Sequence, residues 1–593
     1  MNAPPDRAAP LAEFDEAAAR RRAKKDWLRA LERTSNVTSE SNRTLARIVD
    51  EKARETPEAP ALVGEETSLT YRALATRIEE VAGWAEARGL AKGDCVALHM
   101  TNSPEYAAIW LGLSRVGVVV ALVNTQLRGA SLAGVIDACA PKFVVADHEG
   151  TIALREAGLD RLETTEPNEI ACCIGAAQNV VSSHVTLSDV ALLVFTSGTT
   201  GLPKAARVSH YRIVMWAEWF AGLMDARAHD RLYNCLPMYH SVGGVVAVGA
   251  MLASGGATIV RRAFSARMFW TDIAQSGATL FQYIGELCRY LLARAPDNPP
   301  QHNLRLICGN GLRGDVWEAF QTRFAIPRIL EFYAATEGTF SLFNVEGKPG
   351  AIGRTPPFIA HRSPTAIVRF DIETQAPQRA GDGFCLRCMV GETGEAIGRI
   401  DGARQGLSSR FEGYTNAGES ERKILRNVFE PGDAWFRTGD LMRQDSQGYY
   451  IFVDRIGDTF RWKGENVSTS EIAALVCAIP GVADAAVYGV AAPGADGRAG
   501  MVSLVVGDDF DLEVFARVTA RDMPAYARPI FLRLCKGLPT TGTFRLQKSE
   551  LQADGFDPTR ITDELFVLES ASNGYRNLDA PTYDRIMSGA MRL

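Results

Sequence analysis

A glycine- and hydroxyl-rich loop that follows a buried strand is the first candidate for chemistry in this 593-residue chain. The apolar run 191–195 leads into Thr196, and residues 197–204 read Ser-Gly-Thr-Thr-Gly-Leu-Pro-Lys. Glycines let backbone N–H groups approach an anion, hydroxyls add donors, and Lys204 supplies a compact positive charge. The loop is not a Walker A motif, which needs four residues between its glycines. The pattern predicts a phosphate-binding loop.

A carboxylate suited to a metal follows a second strand-like run. Thr336 and Glu337 lie shortly after the apolar stretch 328–332, at the carboxyl end of a strand, where ligands collect in α/β folds. Magnesium prefers one or two carboxylates together with substrate oxygens. Glu337 is therefore a candidate Mg²⁺ ligand, and the alternative is that Thr-Glu simply caps a helix.

A third candidate pair consists of Asp440 and Arg455. Asp440 comes directly after a Gly turn, and a carboxylate that only accepts hydrogen bonds suits the two hydroxyls of a ribose. Arg455 offers a planar fork of donors for the same ribose or for a phosphate. A turn aspartate and a surface arginine are the alternatives for each residue taken alone.

The stretch 304–314 resembles a dinucleotide-binding fingerprint. A strand-like run leads into Gly309, Gly311 and Gly314 with GxGxxG spacing, and Glu331 follows about twenty residues later. The motif alone is weak evidence. Its position far along the chain, after a better phosphate loop, argues against that interpretation, although an NAD(P)-dependent oxidoreductase remains an alternative hypothesis.

Composition excludes several classes of protein. The formal charge is −6 and the pI is about 5.9, which argues against general nucleic-acid binding. Eleven cysteines, an odd number, give no disulfide framework and indicate reduced thiols in a cytoplasmic protein. No secretory signal is predicted, because charges interrupt the N-terminal 40 residues.

The elements that must position these residues alternate along most of the chain. Helical stretches and short β-branched runs from about residue 42 to 453 predict parallel sheets covered on both faces. After Arg455 the pattern predicts a small α+β domain. The uncharged stretch 242–260 is predicted to be a buried helix that Gly255 and Gly256 separate from a strand at 257–260. A charged helix is predicted within 11–33, typically with a solvated face, and a helix that binds a membrane surface or a partner is the alternative.

Three longer motifs carry a family resemblance. The loop 196–204 resembles the phosphate loop of the adenylate-forming enzymes, the superfamily of acyl-CoA synthetases. The stretches 281–290 and 449–469 resemble the fatty acid transport protein and very-long-chain acyl-CoA synthetase branch, in a bacterial-type form without a membrane segment. This resemblance implies an α/β fold with a large N-terminal domain of several subdomains and a small mobile C-terminal α+β domain. We expect an extension at 1–41, the ATP- and acyl-binding domain at 42–456 and the mobile domain at 457–593.

The resemblance also implies roles for individual residues. The phosphate loop is expected to contact ATP, Glu337 to hold Mg²⁺, Asp440 and Arg455 to bind ribose, and Gly457 to act as the hinge. His240 matches a position near the carboxylate and the α-phosphate. The expected nucleotide and coenzyme A contacts, besides Asp440 and Arg455, are Thr196, Ser197, Gly198, Thr199, Thr200, Gly201, Lys204, Gly309, Gly311, Glu331, Tyr333, Thr336 and, for coenzyme A, Gly464.

The sequence departs from the family at its last motif. The catalytic lysine of the superfamily falls by spacing on Arg545, and Arg does not reproduce the point-like charge of an ammonium. Lys548, about one helical turn later, is the alternative. Of the two, we expect Arg545 to act in catalysis.

The implied activity is ATP-dependent activation of long- or very-long-chain fatty acids to acyl-CoA through an acyl-adenylate, with release of AMP and pyrophosphate. The substrates and cofactors would be the fatty acid, ATP, Mg²⁺ and coenzyme A. The alternatives are a fatty-acid uptake or binding protein with weak catalysis, and a ligase for a steroid or bile-type acid. A homodimer and peripheral contact with the inner face of the membrane are left open, and nucleic acid is not an expected partner.

Overall fold

The computed structural model describes residues 16–170, 184–196, 203–294, 296, 298–362, 364–400, 410–463, 465–493, 497–540, 546–569, 574–591 and 593. The chain divides into two compact units. The first contains Met1–Thr365, Gly398–Arg426 and Ala434–Phe436, and the second contains Ala366–Ile397, Asn427–Asp433 and Arg437–Leu593.

Helices of the first unit cover both of its sheets. They are α1 (Glu16–Thr34), α2 (Leu45–Glu55), α3 (Tyr71–Ala87), α4 (Pro104–Arg115), α5 (Gly129–Cys139), α6 (His148–Glu156), α7 (Pro167–Ile170), α8 (His210–Leu223), α9 (Val248–Ser254), α10 (Phe269–Ser276), α11 (Gly285–Arg294), α12 (Gly314–Arg323) and α13 (Ala417–Glu421). A π-helical turn, Ser241–Ala247, runs directly into α9.

The first unit contains an eight-stranded sheet. Its strands are β1 (Pro60–Val63), β2 (Ser68–Thr70), β9 (Arg231–Asn234), β10 (Ala257–Val260), β11 (Leu280–Ile284), β12 (Leu306–Asn310), β13 (Ile329–Ala334) and β14 (Ser341–Asn344). The order is β14-β13-β12-β11-β9-β10-β1-β2, and only the pairings at the two edges, β14 with β13 and β2 with β1, are antiparallel. The carboxyl ends of the parallel strands therefore share one edge.

The same unit contains a six-stranded sheet. Its strands are β3 (Cys95–His99), β4 (Val119–Leu122), β5 (Phe143–Ala146), β6 (Thr164–Thr165), β7 (Val190–Thr196) and β8 (Lys204–Ser209). The order is β6-β5-β3-β4-β7-β8, with β8 antiparallel to β7. Strands such as β4 are apolar throughout because helices cover both faces of the sheet.

Asn102, just after β3, links the carboxyl ends of the two sheets. Its amide nitrogen donates to the carbonyl of Leu236 at 2.8 Å and to that of Arg261 at 3.0 Å. Its amide oxygen accepts from the N–H of Met238 at 2.8 Å. Leu236 and Arg261 follow β9 and β10, so one side chain ties together the edges where the functional candidates lie.

The remaining strands form smaller sheets. Their bounds are β15 (Thr365–Val368), β16 (Phe370–Asp371), β17 (Ala376–Pro377), β18 (Thr393–Arg399), β19 (Ile424–Arg426), β20 (Ala434–Gln444), β21 (Tyr450–Arg455), β22 (Phe460–Trp462) and β23 (Glu465–Val467). Five of them form a sheet in the order β15-β18-β20-β19 with β21 paired to β20, while β16 pairs with β17 and β22 with β23.

The C-terminal part of the second unit is the α+β structure that the sequence predicted. Its five-stranded sheet contains β24 (Val482–Ala491), β25 (Arg498–Val506), β26 (Phe531–Leu534), β27 (Glu564–Glu569) and β28 (Gly574–Asn577), in that order. The helices are α14 (Thr469–Cys477), α15 (Leu512–Asp522), α16 (Lys548–Asp554) and α17 (Ala580–Met587). Apolar side chains of the strands and helices form a separate core.

The predicted N-terminal helix exists, but the expectation of a solvated helix is wrong for one of its faces. Trp27 is 2% exposed, and its ring lies 5.7 Å from that of Trp219 on α8 and 5.8 Å from that of Phe343. A Cβ on Gly222 would lie 2.5 Å from the Cα of Ala30, so α1 and α8 touch through their backbones. Few apolar residues suffice here because small residues permit this close contact.

The stretch 242–260 folds as predicted. The π-helical turn and α9 are buried, Gly255 ends the helix in a left-handed conformation with φ of 77°, and β10 follows. Among the described residues, no helix combines the length and the apolarity needed to span a bilayer.

Replacing Trp27 with Ala should lower the free energy of unfolding by about 3–5 kcal/mol, because it empties a buried aromatic site. The neighbouring Leu28→Ala is the matched control, since Leu28 is 50% exposed on the same helix and its loss should change stability by less than about 0.5 kcal/mol. Urea unfolding followed by circular dichroism measures both variants. Equal losses would show that α1 does not pack as described.

Candidate active site

Lys204 begins β8, directly opposite Thr196 in the strand register. Residues 197–202, which include the predicted contacts Ser197, Gly198, Thr199, Thr200 and Gly201, lie outside the described part of the chain. The Lys204 side chain is 16% exposed, and its ammonium pairs with the carboxylate of Glu419. The ammonium also lies 5.9 Å from the centroid of the Tyr414 ring. A buried cation needs such a partner, which an anionic ligand can replace.

The segment that carries Glu419 also contacts Glu337. Glu337 is 5% exposed, and its carboxylate accepts a hydrogen bond from the hydroxyl of Tyr414. Burial is the largest effect that raises the pKa of Tyr414, so the phenol is the donor. The neighbouring Thr336 hydroxyl lies 3.3 Å from that of Ser241. The structure thus brings Lys204, Thr336 and Glu337 into one cluster.

A buried arginine holds the loop that carries Glu337. Arg212 on α8 donates to the carbonyls of Thr336 at 2.9 Å and Gly338 at 3.1 Å, and also to the carbonyl of Arg410. It is 3% exposed, and Glu412 lies 3.6 Å from its guanidinium. Arg212 therefore binds both the loop 336–338, which follows β13, and the segment 410–421.

His240 caps the start of the π-helical turn, where its carbonyl accepts from the N–H of Gly244 at 2.8 Å. Its ring lies 4.6 Å from that of Tyr239. Burial lowers the pKa of His240 to about 4. The imidazole is therefore neutral at pH 7, and it can offer a hydrogen bond but not a positive charge.

The glycine turn after β12 rests on a buried carboxylate. Glu331 accepts hydrogen bonds from the N–H groups of Gly311 at 2.5 Å and Leu312 at 3.2 Å, and from the hydroxyl of Tyr283. Burial raises the pKa of Glu331 to about 8, against the opposite effect of these donors. Gly309, in β12, comes just before the turn, and Tyr333 packs edge-on against Phe340 at 5.6 Å. Both oxygens of Glu331 are thus already used within the protein.

Asp440 and Arg455 face each other in the second unit. They are register partners on β20 and β21, and the guanidinium lies 3.6 Å from the carboxylate. The Asp440 side chain is 7% exposed and that of Arg455 is 44% exposed. The pair can therefore present an acceptor and a donor fork side by side, and its role in binding a ribose stays a prediction.

Lys548 is held within the second unit. Its ammonium donates to the hydroxyl of Thr469 at 2.7 Å and to the carboxylate of Asp458 at 3.2 Å. Arg545 and Gly464 lie outside the described residues. A Cβ on Gly457 would meet nothing within 4 Å, so no close packing requires glycine there. The hinge role of Gly457 stays a prediction.

Two family models match the chain. The AMP-binding enzyme model covers residues 49–381, and the AMP-binding enzyme C-terminal domain model covers residues 471–545. Long-chain fatty acid transport protein 1 of Mus musculus is 38% identical over 573 residues, which span 93% of this chain and 88% of that protein. The chain belongs to the adenylate-forming acyl-CoA synthetase superfamily, in its fatty acid transport protein branch.

One further relative and two solved structures are also similar to this chain. Long-chain fatty acid transport protein 6 of Homo sapiens is 37% identical and covers 91% of this chain and 90% of that protein. ATP-bound MatB from Rhodopseudomonas palustris has a TM-score of 0.73 at 23% identity and covers 86% of this chain and 98% of its own. MenE from Bacillus subtilis with the acyl-adenylate OSB-AMP has a TM-score of 0.71 at 21% identity, covering 85% and 97%. The last two comparisons show the shared fold.

Family membership makes the protein an adenylate-forming CoA ligase by class and confirms the α/β fold with a large N-terminal and a smaller C-terminal domain. The AMP-binding enzyme match includes Gly309, Gly311 and Gly314. The glycine turn therefore belongs to this enzyme domain, and the dinucleotide oxidoreductase hypothesis is not supported.

Sequence reasoning missed the side chains that surround Lys204 and Glu337. These are Arg212, Glu412, Tyr414 and Glu419. The signal that was available is the stretch 410–421, in which a Gly-Tyr pair precedes a short acidic helix capped by Asn416. The stretch lies about two hundred residues after Lys204 in the sequence, so the contact between Glu419 and Lys204 could not be predicted from local pattern.

The pH dependence of adenylation should show no ionisation of His240 near pH 6.5, because its pKa is about 4. Profiles of kcat/KM for AMP formation by the wild type and His240→Gln should have the same shape between pH 5.5 and 7.5, even if their heights differ. An inflection near pH 6.5 that only the wild type shows would contradict a neutral His240.

Proposed function

We propose that this protein is an AMP-forming ligase that joins long- or very-long-chain fatty acids to coenzyme A. The observation that carries the proposal is the 38% identity to a long-chain fatty acid transport protein over 93% of the chain. The clustering of Lys204 with Glu337 through Tyr414 and Glu419 supports an intact site for phosphate chemistry.

In the first half-reaction, a carboxylate oxygen of the fatty acid attacks the α-phosphorus of ATP. The new bond is the acyl-phosphate bond, and the bond from the α-phosphorus to pyrophosphate breaks. Lys204 would neutralise phosphate oxygens once ATP takes the place of Glu419 at its ammonium. Glu337 offers the single carboxylate that Mg²⁺ needs beside phosphate oxygens, and the bound ion would add positive charge there. The chemistry is mainly positioning and charge neutralisation.

A different set of residues is proposed to bind the nucleoside. The turn at Gly309 and Gly311, together with Tyr333, is proposed for the adenine base, and Asp440 with Arg455 for the ribose. Thr196 and Thr336 would donate to phosphate oxygens. His240 would contribute a neutral hydrogen bond near the reacting carboxylate, since its imidazole is uncharged at pH 7.

In the second half-reaction, the thiol of coenzyme A attacks the acyl carbon and AMP leaves. We propose that the C-terminal domain, from 457 onward, turns about Gly457 between the two steps, because glycine tolerates a large change of φ and ψ. Gly464 would then lie beside the thiol arm. The thiol of coenzyme A gives its proton to solvent, the bond from the acyl carbon to the phosphate oxygen of AMP breaks, and acyl-CoA and AMP are released.

The experiment that tests the proposal measures AMP and thioester by mass spectrometry with purified protein and Mg-ATP. The acid panel should run from octanoate to a C24 fatty acid and include cholate, each with and without coenzyme A. We expect thioester from the long acids only when coenzyme A is present. Thioester from cholate alone would reassign the substrate class. Fatty-acid binding without AMP would favour an uptake or binding protein.

Arg545, rather than Lys548, is proposed to bridge the carboxylate and the α-phosphate. Removing a single stabilising donor costs about 3 kcal/mol, so Arg545→Ala should slow ATP–pyrophosphate exchange about 100-fold. Lys548→Ala is the control. It removes hydrogen bonds to Thr469 and Asp458 and should lower stability by about 1–3 kcal/mol, with a much smaller effect on exchange. The opposite pattern of exchange rates would assign the role to Lys548.

A further inference from the structure

Three separate motifs meet beneath the glycine turn that follows β12. The stretch 281–290 carries Tyr283 on β11, Gly309 lies near the end of the neighbouring β12, and Glu331 lies on β13 beyond it. Tyr283 has no exposed surface and Glu331 is 1% exposed. The proposed mechanism uses neither the phenol nor the carboxylate of this buried pair.

The hydrogen bonds of Glu331 are directed at the turn. One carboxylate oxygen accepts from both Gly311 N–H, at 2.5 Å, and Leu312 N–H, at 3.2 Å, while the other accepts from Tyr283. Burial raises the pKa of Glu331 to about 8, so the group is mostly uncharged at pH 7, and its two oxygens accept from three donors. Removing one donor from a buried carboxylate is costly because water cannot replace it.

Steric contacts bring the turn and the junction of β11 with α11 as close as two backbones allow. A Cβ on Gly285 would lie 1.8 Å from the carbonyl oxygen of Gly311. A Cβ on Gly309 would lie 2.6 Å from the ring of Tyr283. Gly311 itself has a φ of +78°, which favours glycine. The height of the turn above the sheet is thus set by Tyr283 and Glu331 and not by the turn alone.

We propose that Tyr283 and Glu331 are positioning residues for the nucleotide base. They hold the turn at Gly309–Leu312 at the height that lets it contact the base, without touching the nucleotide themselves. The proposal rests on the assignment of this turn to the adenine site in the proposed function. It explains why the tyrosine, the glycines and the glutamate occur together in this chain.

The test compares the affinity for ATP with the affinity for inorganic tripolyphosphate, which has no base. Isothermal titration of the full chain, without fatty acid or coenzyme A, gives both dissociation constants. Tyr283→Phe should weaken ATP binding about three- to tenfold, the effect of one lost hydrogen bond at a buried group. Tripolyphosphate binding should change less than about twofold, because this ligand has no base for the turn to contact.

Tyr233→Phe is the matched control. Tyr233 lies on β9 of the same sheet, and its hydroxyl donates to the carboxylate of Asp272 on α10 at 2.8 Å. This variant should lose stability but keep the wild-type affinity for ATP. Glu331→Gln keeps an acceptor for the two N–H groups and should bind ATP within about threefold of the wild type, whereas Glu331→Ala should lose more than Tyr283→Phe.

Each outcome decides the proposal. A loss of ATP affinity that is selective for the base supports it. Equal losses for ATP and tripolyphosphate, or no loss in Tyr283→Phe, would overturn it, as would a wild-type protein that prefers neither ligand. The binding measurement needs no acid substrate, so it is independent of the ligase assay. A wild type that binds ATP but forms no acyl-CoA would refute the proposed ligase activity and leave the positioning role of Tyr283 and Glu331 intact.

Discussion

The burial of two charged side chains, those of Lys204 and Glu337, is the constraint on which the rest of the site depends. The lysine starts a strand of the six-stranded sheet and the glutamate follows a strand of the eight-stranded sheet. Both side chains are largely buried, and an isolated buried charge is expensive. Glu419 and Tyr414 satisfy them from a single segment, so 410–421 must fold against both sheets before the site exists.

That arrangement explains why so many buried polar groups surround the site. Arg212 is 3% exposed yet fully engaged by carbonyls of the Thr336–Gly338 loop and of Arg410. Asn102 ties the same edges of the two sheets together. Such networks are costly if incomplete, and complete ones define a single geometry. The same burial leaves His240 neutral, which separates its role from that of the cationic Lys204.

The fold was accessible to sequence reasoning wherever local pattern decides structure. The apolar runs at β7 and β13, the break at Gly255 and Gly256, and the α+β structure in the C-terminal part of the chain are where the pattern put them. The amphipathic contact of α1 was not accessible. Its burial depends on Trp27 and on small residues facing Gly222 of α8, nearly two hundred residues later, and nothing in the local charge pattern indicates that partner.

The sequence by itself determined the family, the two-domain α/β fold and the candidate residues, because glycines, carboxylates and lysines at fixed spacings can perform only a few kinds of chemistry. The tertiary structure alone decided which groups share an environment. Glu419 pairs with Lys204, Tyr414 with Glu337, and Glu331 faces a turn and not solvent. These contacts join residues from different strands and distant segments. They form because a buried polar or charged group needs a partner, and burial exists only once the chain has folded.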